Sequence, residues 1–170
     1  MKTASALTKS HPRGPAKESL YQRDYYAWVQ SQVQALKQRQ LDDLDLKNLS
    51  EEVADLGTSL RHELRSRMRV ILTHLLKWHF QPSKRSSSWE LTLLEQRARV
   101  RDLLDANPSL RREVAEFLSK AYESGIRMAG AQMKLAKNDV QRTFPPHCPW
   151  TPEQILDDDF LPNASRSASR

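Results

Sequence analysis

Apolar residues recur along most of this chain at the three- and four-residue spacing of a helix face, and no stretch of useful length alternates like a strand. The spacing predicts a first helix over Asp24–Gln40, with Asp24 as its cap and Tyr25, Trp28, Val29, Val33 and Leu36 inward. The LDDLD stretch at 41–45 breaks it, and Asp45 is placed to cap the next helix. That second helix carries a seam of Leu46, Leu49, Val53, Leu56, Leu60, Leu64, Met68, Ile71, Leu75 and Trp78. Such a seam predicts one helix about 50 Å long. Gly57 lies inside it and marks either a close helix crossing or a kink. Gln81-Pro82 ends it, because a residue before proline avoids the helical region.

A third helix begins near Ser87 or Ser88, with Trp89, Leu93, Gln96, Val100 and Leu103 on one seam, and stops at Asn107-Pro108. A fourth follows Ser109, with Leu110, Val114, Phe117, Leu118, Ala121, Tyr122, Met128 and Ala129 inward, and fades by Asn138. Its small residues after Ser124 (Gly125, Ala129, Gly130, Ala131) permit close approach of a neighbour. TFPPHCPW cannot be a regular helix, whereas Thr151, Pro152 and Gln154 make the capping box of a last short one. The expected fold is therefore all-α: an antiparallel helical bundle of about four main helices, one long and central, with a short C-terminal helix. Residues 21–162 form the expected single domain, flanked by disordered tails at 1–20 and 163–170. A seam this long equally suits a homodimer.

Composition narrows this only slightly. A lone cysteine, Cys148, excludes an internal disulfide and a multi-cysteine zinc site. No apolar run reaches the length of a signal peptide or membrane helix, which points to a cytoplasmic protein with no membrane partner. The net charge of +6 is concentrated in the tails, but residues 61–112 hold twelve Lys/Arg against five Asp/Glu. A basic middle between acidic flanks suits an anionic partner, and equally suits helices pairing within the fold.

The segments DYYAW (24–28), NLSEEVADLG (48–57), HLLKWHFQP (74–82), RSSSWELTLLEQR (85–97), LLDANPSL (103–110), FPPHCPW (144–150) and EQILDDDFLP (153–162) occur in this order. Together they resemble the bacterial family known as domain of unknown function number twenty-nine, over about residues 21–162. The resemblance implies a mostly helical bundle and brings no activity, substrate or catalytic residue.

Three kinds of chemistry can be weighed on the residues. Glu51, Glu52 and Asp55, with Asp102 and Asp105, are similar to the paired acidic helices of metal-dependent nucleotide hydrolases. On a helical wheel, however, only Glu52 borders the seam, so the acids read as solvated first-turn residues and no metal or cofactor is expected. His74 and His79 are five apart and splay to either side of the seam, and His147-Cys148 has no orienting base nearby. The arginines make the best case. Arg61, Arg65 and Arg69 form a stripe one turn apart, able to track phosphates. A polar set at the hairpin between helices two and three, His74, Lys77, Gln81, Arg85, Gln96 and Arg97, either fixes the hairpin or lines a pocket. The expected function is a cytoplasmic protein–protein interaction or small regulatory module without catalysis. The alternatives are a nucleic-acid binder using Arg61, Arg65 and Arg69, and a metal-dependent nucleotide hydrolase.

Overall fold

The computed structural model describes residues 19–163, so most of both predicted tails lies outside the described residues. Among the described residues the fold is all-α, with seven helices and no strand. They are α1 (Leu20–Arg23), α2 (Tyr25–Gln38), α3 (Leu46–Phe80), α4 (Ser87–Ala106), α5 (Arg111–Gln132), α6 (Lys137–Thr143) and α7 (Pro152–Leu156). Single 3-10 turns at Leu41–Asp43, Pro82–Lys84 and Pro108–Leu110 fill the breaks after α2, α3 and α4. Ser19 caps α1 in a capping box with Gln22.

The chain divides into two compact units, one ending at Ala54 and one beginning at Asp55, inside α3. In the first, Asp24 caps α2 by accepting from the Ala27 amide at 2.9 Å. The expected inward face is rotated. Trp28, Gln32 and Ala35 are buried, whereas Tyr25, Val33 and Leu36 are exposed. Gln32 goes inward because its carbonyl accepts from the Asp45 amide at 2.7 Å. Trp28 donates its indole N–H to the Asp45 carboxylate at 3.2 Å. Asp45 in turn receives the Asn48 amide at 3.2 Å and the Asn48 side chain at 2.6 Å, which caps α3 as its sequence position predicts. These bonds, those from Asn48 first, hold its carboxyl below the usual value.

The second unit supplies most of the core. Leu64, Met68, Ile71, Leu72, Leu75 and Leu76 of α3 are fully buried, together with Leu93, Val100, Leu104, Val114, Ala121, Tyr122 and Ile155. Helix directions follow from cross-helix contacts. Arg67 reaches Gln96 and Lys77 reaches Trp89, so α4 runs antiparallel to α3. Arg61 reaches Glu113 and Leu72 meets Gly125, so α5 runs parallel to α3 again. A Cβ on Gly125 would stand 3.2 Å from the Leu72 Cβ, and one on Gly130 would stand 2.7 Å from a Val140 methyl. The small residues of α5 thus admit α3 on one side and α6 on the other.

The structure departs from expectation at several positions. The α3 seam is buried only in its C-terminal part: Leu46, Val53 and Leu56 are 65–68 % exposed. Gly57 marks no close crossing, since nothing lies within 4 Å of a Cβ built there, and α3 continues through it. Met128 is exposed, and on α4 Leu104 rather than Leu103 is fully inward. Finally, the chain does not simply fade after α5: Lys134 turns left-handed (φ 58°) and α6 follows. The capping box predicted for α7 is present, with Thr151 accepting from the Gln154 amide at 3.3 Å.

Candidate anion-binding groove

The parallel run of α3 and α5 leaves an open groove of about 650 Å³ between them. From α3 it is lined by His62, Arg65, Ser66 and Arg69, and from α5 by Lys120, Glu123, Ser124 and Arg127. Helical spacing explains the set: 62, 65, 66 and 69 share one face of α3, as do 120, 123, 124 and 127 of α5. The groove thus collects four permanent cations against one acid.

What marks these cations is that they share one concavity: among the described residues Arg23, Arg39, Arg85, Arg97, Arg112 and Arg142 also lack a carboxylate within ion-pair distance, but none of them lines this groove. Five other arginines have found carboxylates: Arg61 with Glu113, Arg67 with Glu63, Arg99 with Glu95, Arg101 with Asp158 and Arg111 with Asp105. Among the described residues, Arg65, Arg69, Lys120 and Arg127 have no carboxylate within ion-pair distance. The arginines are instead steadied by short polar neighbours. Arg69 donates to the Ser66 hydroxyl at 3.1 Å and Arg127 to Ser124 at 3.3 Å. Arg65 lies 2.9 Å from His62 Nδ1, and an unprotonated Nδ1 accepts from it. Glu123 stands four residues before Arg127, a spacing that permits pairing, yet Arg127 turns to Ser124. Charges grouped in a concavity and not neutralised internally present a positive field to solvent.

Of the stripe predicted from sequence, then, Arg65 and Arg69 face the groove. Arg61 is tied to Glu113 at 2.8 Å and lies over the Phe117 ring at 5.2 Å. Lys120 and Arg127 complete the set from a helix some fifty residues away, with no signal in the local sequence.

Five of the six hairpin side chains have a partner within the fold, although Arg85 Nη2 is buried without one, and Gln81 acts through its backbone. His74 Nδ1 donates to the Val70 carbonyl at 3.0 Å, and burial, with Lys77 nearby, lowers its affinity for a proton. Lys77 is buried with its ammonium 4.1 Å from the Trp89 ring centre, and burial pushes its pKa down. The Gln81 amide donates to the Lys77 carbonyl at 2.9 Å, closing the end of α3. Arg85 donates to the Trp78 carbonyl at 2.9 Å and stacks on the Trp78 ring, and Gln96 accepts from Arg67 at 3.3 Å. Arg97 is 2 % exposed and donates to the carbonyls of Ile155, Asp158 and Phe160 at 2.9, 3.2 and 2.8 Å. It pins the last turn of α7 and the segment after it onto α4.

The acidic residues of α3 take a different part. Glu52 accepts from the hydroxyls of both Tyr21 and Tyr25 at 2.6 Å, a clasp the helical wheel hints at only by putting Glu52 beside the seam. Both phenols titrate high as a result, Tyr21 pushed up to about 12, while the Glu52 carboxyl is lowered. Asp105 pairs with Arg111. Among the described residues no group of three or more His, Cys, Asp or Glu stands close enough to hold a metal ion. Burial raises the Cys148 thiol, the wrong direction for a nucleophile, and its sulfur faces the Trp150 carbonyl at 3.5 Å. No described helix is long and apolar enough to cross a membrane.

No curated protein and no solved structure matches the chain. A family model does: residues 20–161 match Domain of unknown function DUF29, the span that holds all seven helices and the groove. The chain belongs to the DUF29 family.

Proposed function

We propose that this chain is a non-catalytic cytoplasmic binding module that takes an anionic partner in the groove between α3 and α5. The observation that carries the reading is the gathering of four unpaired cations, Arg65, Arg69, Lys120 and Arg127, in one concavity that holds a single carboxylate, Glu123. Leaving four like charges side by side carries a cost in self-repulsion that an incoming anion removes. Three of the four are arginines, whose forked donors suit oxyanions.

The test is retention of the full-length protein on immobilised heparin, a polyanion with no sequence of its own. R65Q/R69Q/K120Q/R127Q is expected to elute at clearly lower salt than the wild type. A charge-matched variant, K37Q/K134Q/K137Q/R142Q, changes four exposed cations outside the groove and controls for overall charge. Equal losses in the two variants would mean that bulk charge and not the groove holds the polymer, and the proposal would fail.

A further inference from the structure

We infer that the anion is the phosphate backbone of a nucleic acid strand, held without regard to base identity; this rests on the groove reading above. The main groove continues into a second concavity of about 200 Å³ that shares His62, Arg65 and Lys120 with it and extends to Thr58 and Arg61. The unpaired cations span one turn of α3, from Arg65 to Arg69, and two turns of α5, from Lys120 to Arg127, about 10 Å at about 1.5 Å per residue. A small phosphorylated ligand needs one focus of charge, whereas one nucleic acid strand, with a charge every ~3.4 Å of duplex axis, sets roughly three phosphates along that length.

A stable protein partner needs a desolvated apolar centre for its contact. Here the main groove offers Ala121, itself fully buried, and otherwise the His62 imidazole and charged or hydroxyl-bearing side chains. In the adjoining concavity, Phe117 lies under the Arg61 guanidinium. A polar, strongly positive surface is what nucleic acid interfaces present. Strand-binding sites that hold bases do so on aromatic platforms. The main groove has no Phe, Tyr or Trp; its one ring, His62, is engaged by Arg65, the Phe117 ring of the adjoining concavity is covered by Arg61, and Trp78 and Trp89 are engaged by Arg85 and Lys77. Contact through phosphate alone positions a strand without reading it.

The test is fluorescence anisotropy of the full chain with labelled single strands of thymidine, of adenosine and of mixed sequence, and with labelled polyglutamate of matched charge, across a salt series. The three oligonucleotides are expected to bind within about threefold of one another. The slope of log K against log salt is expected to be shallower in R65Q/R69Q/K120Q/R127Q than in the wild type by about 2.8, since each cation accounts for about 0.7 on a single strand. The difference between the two slopes cancels the share of the charged tails. R65Q/R127Q, which neutralises one cation on each helix, is expected to make the slope shallower by about 1.4, and an unchanged slope in this milder variant overturns the reading should the fourfold variant fail to fold. If polyglutamate binds as tightly and with the same dependence on the groove, the groove reading stands and the nucleic acid inference fails. A tenfold preference for one base would overturn backbone-only binding. No change in any slope on neutralising the four cations would overturn both readings.

Discussion

Replacing Arg97 by methionine keeps an unbranched stem and removes the guanidinium that joins α4 to the segment after α7. Three carbonyls lose a charged donor: Ile155 at 2.9 Å, Asp158 at 3.2 Å and Phe160 at 2.8 Å. A hydrogen bond from a charged group contributes about 1.5–3 kcal/mol, but the three do not simply add. The contacts to Asp158 and Phe160 are only partly buried, so water replaces the donor there. The contact to Ile155 is buried, and an unmet buried carbonyl costs about 1–3 kcal/mol. Against these losses stands the cost of burying the guanidinium, which burial already holds below its ordinary pKa despite Asp158 and Asp157 nearby. The net loss is about 3 kcal/mol, or roughly 6–12 °C in Tm for a chain of this size. The comparison is R101M, which removes an exposed pair with Asp158 and costs under about 1 kcal/mol. Thermal unfolding followed by circular dichroism measures both. A Tm for R97M within about 2 °C of that for R101M would refute the view that Arg97 fastens the C-terminal segment.

Two further outcomes follow from local geometry. The Tyr21 phenol is expected to ionise near pH 12, and E52Q to bring it back toward the ordinary 10.0, as read by ultraviolet absorbance during alkaline titration. The sign works in both directions. Glu52 has its pKa lowered, so its contribution is whole above its ordinary 4.5 and is lost as acid protonates it; Tyr21 has its pKa raised, so its share is whole below 10.0 and disappears as the phenol ionises. Unchanged Tyr21 titration in E52Q would dismiss the clasp. G57A is expected to stabilise the protein by about 1 kcal/mol, because the helix gains and nothing is crowded. G130A places a Cβ 2.7 Å from a Val140 methyl, and an overpacking cost of about 1–3 kcal/mol cancels or reverses the same gain. Denaturant midpoints that rise equally in the two variants would show that α6 yields freely.

What the sequence discloses and what it hides differ for physical reasons. Helical periodicity locates α3, but period alone says nothing about whether a neighbour covers the face. Leu64 through Trp78 are buried because α4 and α5 lie against them, while Leu46, Val53 and Leu56 have the same spacing and stay exposed. Gln32 reverses the usual inference because one backbone amide, thirteen residues on, gives its carbonyl a partner. Arg97 looks like a surface cation near a basic turn, and the three carbonyls that bury it come from residues 155–160. The caps at Asp24, Asp45 and Thr151 are legible because a cap is a contact between residues three apart. The groove was half legible for the same reason. Arg65 and Arg69 are one turn apart on one helix, whereas Lys120 and Arg127 join them only through the parallel packing of α3 and α5 at Leu72 and Gly125.

Where the anion sits is read by an amide-resolved NMR titration of the full chain with inorganic polyphosphate. Saturable shifts are expected on α3 over residues 58–69 and on α5 over residues 117–127. Shifts that gather instead at the charged tails or at Lys84 and Arg85 beside the α3–α4 turn, or none at all, would rule the groove out.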